Sequence, residues 1–145
     1  MNEVIDVQAE IIDQLQSLLA SVPEFGAEVR EDSVAGVMDV EDQTLPDQLI
    51  ILQEGDTVEQ ERMPGNVKEE WTINIVAMSR RRGSAPALRS ARLAIKQVLK
   101  GIKGGLNVPG LISVSFPASA ARLPEPGRRW AFRVVPITFS YVQQL

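Results

Sequence analysis

Apolar residues recur along the first twenty positions with helical spacing. Val4, Val7, Ile11, Leu15, Leu18 and Val22 are separated by three or four residues, and Ile5, Ile12 and Leu19 widen the same stripe. Glu3, Glu10, Asp13, Gln14 and Gln16 fill the opposite side, so the spacing predicts an amphipathic helix that Pro23 ends. Ala27 to Arg30 is a short strand candidate, and the acidic, turn-rich stretch 32–47 reads as a loop. The run Gln48-Leu49-Ile50-Ile51-Leu52-Gln53 does not alternate, which predicts a strand buried on both faces for part of its length. A turn signal, Met63-Pro64-Gly65-Asn66-Val67, then joins a polar arm, Asp56 to Arg62, to a second arm, Lys68 to Met78. The second arm alternates, with Trp71, Ile73, Ile75 and Ala77 on one side and Thr72, Asn74, Val76 and Met78 on the other. Its turn-proximal part is too polar for a core. We therefore expect a hairpin that projects beyond the body of the domain, either as a flexible loop or as an arm ordered by a neighbour.

Helical spacing returns at Leu88, Ala91, Ile95, Val98 and Ile102, with Ala94 and Leu99 beside them. Ser84 stands where an N-cap belongs, Pro86 falls in the first turn, and Gly101, Gly104 and Gly105 stop the helix. Two strands follow, Leu111 to Phe116 and Arg129 to Val142, separated by a proline-bearing loop; Pro136 places the last strand at an edge or a bulge. Two one-sided helices among antiparallel strands imply an α+β fold, one domain over residues 1–145, with both helices on one face of a single mainly antiparallel sheet.

Charge changes this picture more than composition does. Residues 1–70 hold 18 acids against 3 bases, a net of −15; residues 71–145 hold 12 bases against 1 acid, a net of +11. Either the halves segregate in space and give oppositely charged surfaces suited to contacts between copies, or they interleave and neutralise each other across the sheet. Within residues 80–103 there are eight bases and no acid: Arg80, Arg81, Arg82, Arg89, Arg92, Lys96, Lys100 and Lys103. A basic face of this kind suits a phosphate backbone. No aromatic residues interleave with the bases to form a stacking platform, however, and the sequence pI is about 4.9. A solvated helix face, or a surface for acidic protein partners, fits better.

The chain of 145 residues has no cysteine and no histidine, which removes disulfides, thiolate or imidazole metal sites and histidine-based catalysis. Asp39-Val40-Glu41-Asp42 lacks the spacing and glycine of a calcium loop, and Gly101-Ile102-Lys103-Gly104-Gly105 follows a helix where a phosphate loop would precede one. We expect no enzyme, no cofactor, no metal and no small-molecule substrate. An acidic start and the lack of a long apolar run give no secretory signal or membrane span, and we expect a chain that begins in the cytoplasm.

The order of elements resembles the tail terminator family of long-tailed bacteriophages. The resemblance is carried by the helix Ile5 to Leu19 with Pro23 after it, and by Leu49-Ile50-Ile51-Leu52 following Leu45-Pro46. It continues through Trp71-Thr72-Ile73-Asn74-Ile75-Val76, the helix Ala87 to Leu99, and the closing strand Trp130 to Val142. It spans nearly the whole chain as pattern and order, with no fixed motif; the acidic loop 32–47 and the polar hairpin 54–67 depart from compact members. The resemblance implies a virion protein forming a hexameric ring on the last ring of tail tube protein, stopping tube polymerisation and meeting the head–tail connector protein, with genomic DNA passing through unread. Other head-completion or tube proteins share these broad features, and a nucleic-acid-binding domain using the basic helix 84–103 is the reading from another class. For an assembly interface the candidates are Arg80, Arg81, Arg82, Arg89, Arg92, Lys96, Arg128 and Arg129 on the basic side and Glu59 and Glu61 on the acidic side.

Overall fold

The computed structural model describes residues 3–39, 45–118 and 130–145. The chain is α+β, with five strands in one mixed sheet of order β1-β2-β3-β5-β4. The elements are α1 (Val7–Leu19), β1 (Val29–Glu31), α2 (Val34–Asp39), β2 (Gln48–Met63), β3 (Asn66–Ser79), α3 (Ala85–Val98), β4 (Leu111–Ser115) and β5 (Ala131–Gln144).

The expected helices form, with shifted ends. α1 begins at Val7 because the Asp6 carboxylate accepts from the backbone N–H groups of Gln8 (3.1 Å) and Ala9 (3.4 Å). Val4 and Ile5 therefore lie outside the helix and exposed. Ser84 occupies the N-terminal boundary of α3 but makes no capping bond; its hydroxyl pairs with that of Ser79 at 2.9 Å and donates to the Arg81 carbonyl. α3 ends at Val98, so Ile102, expected on its apolar stripe, is 76 % exposed, and Leu99 is buried in its stead.

Both long helices cover one face. Ile11, Leu15 and Leu19 of α1 and Leu88, Ala91 and Ile95 of α3 pack with Ile50, Leu52, Trp71, Ile73, Ile75, Ala77, Val135, Ile137, Phe139 and Tyr141. On the other face, Leu49, Ile51, Val76, Met78 and Trp130 pack beneath Val34 and Val37 of α2. That third helix corrects the reading of 32–47 as loop throughout. Its six residues are too few for a convincing periodic signal, and they form because the unalternating β2 run needs apolar cover on its second face. The β1–α2–β2 connection also makes the one parallel pair among the described residues, Val29 to Glu31 beside Ile50 to Leu52.

The hairpin is longer and better supported than its polarity suggests. β2 and β3 pair in antiparallel register from Gln48↔Ser79 to Met63↔Asn66, and Gly65 at φ +78 supplies the conformation that the Pro64-Gly65 turn requires. β5 then follows β3 over its full length, from Asn66↔Gln144 to Ser79↔Ala131. The turn end is thus a three-stranded ribbon, ordered from within the chain. Every β2 residue from Glu54 to Met63 is exposed, whereas Val67 and Trp71 opposite are buried. Along this outer β2 arm the pairing is broken by two irregularities, Glu54/Thr57 and Glu59/Glu61. Pro136 lies in a strand second from the edge, opposite Asn74. β4 pairs with β5 only at Thr138 to Tyr141, so among the described residues the β4-side margin of β5 at Pro136 carries no partner strand, which is how a proline is tolerated there.

Leu15 and Ile95 are both fully buried in the helix-covered core. Truncating either to alanine should cost about 2–5 kcal/mol. Chemical denaturation reads this directly, and an unchanged midpoint in both variants would contradict the packing.

Candidate assembly surfaces

The basic candidates do not form one cluster. Arg80 continues β3 and turns inward. Its guanidinium bonds Asp47 Oδ1 at 2.9 Å and the Leu45 carbonyl, and lies 5.2 Å from the Trp130 ring centroid. Its side chain is only 19 % exposed, and its backbone N–H donates to the Asp47 carbonyl at 2.9 Å. Arg80 therefore clamps the segment leading into β2 against the margin of the second core. In the sequence Arg80 is an interface candidate because a triple-arginine run looks solvated. Arg81 is exposed, with its Nε 3.8 Å from Asp47 Oδ2, and Arg82 is exposed. Arg128 and Arg129 lie outside the described residues.

α3 presents the larger cationic surface. Burial of Leu88, Ala91 and Ile95 turns Arg89 outward and leaves Arg92 and Lys96 half-buried on the flank, and Lys100 and Lys103 continue the stripe in the exposed turn beyond. Lys96 lies 5.2 Å from the Phe116 ring centroid. Together with Arg92 it edges a cleft walled by Phe116, Pro117, Val134 and Pro136. The ion pairs among the described residues are Arg30–Glu28, Arg62–Glu59, Arg80–Asp47 and Arg81–Asp47. None involves the α3 stripe. Of the two ways the charged halves could be arranged, segregation describes the α3 stripe; among the described residues, the ion pairs between the halves are those of Asp47 with Arg80 and Arg81.

The acidic candidates sit on the outer β2 arm. Glu59 accepts from Arg62 at 2.5 Å, three residues on, and Glu61 is exposed. Glu59 also stands directly opposite Glu69 of β3, a like-charge pair that disfavours the strand pairing locally. Glu69 accepts from the Tyr141 hydroxyl at 3.0 Å, and the Gln8 amide donates to that hydroxyl at 2.8 Å and to Thr57 Oγ1 at 3.0 Å. This network anchors the arm to the first turn of α1, and the polar character of Gln8 and Tyr141 gave no sign of it. An acidic groove runs between α1 and the arm, lined by Asp6, Asp13, Glu31 and Glu54 over Trp71. Among the described residues no group of acids is arranged to hold a metal ion, and no helix is long and apolar enough to cross a membrane. Asp39 ends α2, and the rest of the Asp39-Val40-Glu41-Asp42 run lies outside the described residues. No protein-family model and no curated protein sequence matches the chain.

Two consequences are measurable. Arg80→Ala removes an ion pair, a carbonyl bond and a cation–ring contact, and should cost about 1–3 kcal/mol with altered Trp130 fluorescence, whereas Arg82→Ala should stay within about 0.5 kcal/mol. Equal effects from the two would refute the clamp. Burial pushes the Tyr141 phenol above its ordinary value of 10.0, with Glu69 adding to the rise and the Gln8 bond opposing it. Above about pH 10 the unfolded chain binds fewer protons than the folded one, so stability should fall as pH rises, and less steeply in Tyr141→Phe. Tyr141 is the sole tyrosine, so its ultraviolet titration is unobscured; ionisation at the ordinary value in the native protein would count against the network.

Proposed function

We propose that this chain is a structural assembly subunit of the phage tail terminator kind, a ring-former that caps the tail tube and faces the head connector. The observation that carries the reading is a cationic α3 stripe that makes no ion pair among the described residues, set apart from an acidic β2 arm. On the acidic arm of β2, Glu59 stands opposite Glu69 with Arg62 beside it, Glu61 stands opposite Lys68, and Asp56 is exposed. Unmet charge of both signs on one small domain is suited to contact between copies or with a charged tube end, where complementary fields set register and encounter rate. The element order supports the same reading, as does the arm held ready by α1 and β3.

Negative-stain images and solution mass of the purified protein, alone and with tail tubes, test the proposal. Rings, or caps on tube ends, are expected, and they should weaken as salt rises past about 0.1 M, where screening reaches about 10 Å. In a terminator-deficient phage the gene should restore tails of normal length. A protein that stays monomeric at high concentration and leaves tube growth unaltered is not a terminator; salt-sensitive binding to duplex DNA in its place would move the function to the nucleic-acid class.

A further inference from the structure

We infer that the acidic outer arm of β2 docks on the cationic face of α3 in a second copy of this chain, joining copies head to tail. This rests on the assembly reading above and specifies its contact.

Both surfaces set an exposed apolar residue among charges: cations on α3, and on the arm mainly acids, with Arg62 beside Glu59 and Lys68 opposite Glu61. Val58 of the arm is 52 % exposed, with Asp56, Glu59 and Glu61 near it along β2 and Glu70 opposite on β3. Leu93 of α3 is 53 % exposed, with Arg89 one turn before it, Lys96 one turn after it and Arg92 adjacent. An apolar centre within a charged rim is how specific interfaces are built: the centre gains from losing water, and the rim selects the partner by sign. Within one chain the two cannot satisfy each other. The arm lies on the β2 side of the sheet. α3 rides over β3 and β5, with Lys96 above Phe116 just past β4, on the other side of the order β1-β2-β3-β5-β4.

A second copy is the occupant that the charges select. Arm against arm would set Glu59 and Glu61 against the same acids, which disfavours a two-fold contact. Arm against stripe uses different patches on the two copies, so the contact is heterologous and repeats into a closed ring or an open helix. The arm also gains most from cations. Glu59 faces Glu69 across the ladder with Arg62 as its one cationic neighbour among the described residues, and a further arginine from a second copy would relieve the repulsion that remains.

Charge exchange tests the contact. Glu59→Lys/Glu61→Lys and Arg89→Glu/Arg92→Glu should each weaken self-association at least about tenfold at low salt, read by sedimentation, because each sets like charge against like. The chain carrying all four changes restores the attraction with signs exchanged and should reassemble. Leu93→Asp, at an exposed position, gives an independent loss if the Arg92 variant folds poorly. Should both reversals assemble as wild type does, or should the folded four-fold variant fail to recover, the contact is wrong while the assembly reading stands on the wild-type rings. A monomeric wild type removes both. If duplex DNA binds wild type and is lost with the Arg89/Arg92 reversal while self-association is untouched, the stripe belongs to nucleic acid and the contact is overturned.

Discussion

The backbone pairing of β3, with β2 along one side and β5 along the other, is the constraint around which the other elements are placed. A strand bonded on both sides has satisfied its amides, and what remains is to cover its two rows of side chains. Near Ser79 both rows are apolar, and both receive cover: α1 and α3 over Ile75 and Ala77, α2 over Val76 and Met78. Toward the turn the second row becomes polar, with Thr72, Glu70 and Lys68, and α2 does not extend there. The domain therefore has a body with two covered faces and a ribbon with one, and the exposed β2 arm is the far margin of that ribbon.

Much of this was legible in the residues. Periodicity located α1 and α3, and alternation in Trp71 to Met78 fixed the faces of β3. The unalternating run Leu49 to Leu52 announced a second covered face without saying what covers it. α2 escaped because six residues give too little period to read, and because only tertiary demand makes so short a helix form. The parallel placement of β1 escaped for a related reason: three residues carry no register of their own. At the surfaces, sequence counted charges correctly but could not orient them. Arg80 and Arg82 look alike in the chain, yet one is pulled onto Trp130 and Asp47 while the other stays in solvent. Direction at a strand's end depends on which core margin the chain turns toward, a long-range fact.

Electrostatics and packing here serve different ends. Where the core needs definition, charges are spent singly and locally, as at Arg80 with Asp47 and Glu69 with Tyr141. Where the surface faces outward, they are collected by sign. A monomer gains nothing in stability from such sorting, since exposed charges contribute little and like neighbours repel.

The interruptions at Glu54/Thr57 and Glu59/Glu61 bear on how such a chain survives before it meets its partners. A strand edge of this length, paired on one side only, invites indiscriminate stacking with any other extended chain, the route to fibres. Each interruption breaks the even spacing of the free amides and carbonyls, and the carboxylates discourage approach by a second arm. A newly made pool is thus steered away from edge-to-edge stacking, and the edge stays available without becoming a template for fibres.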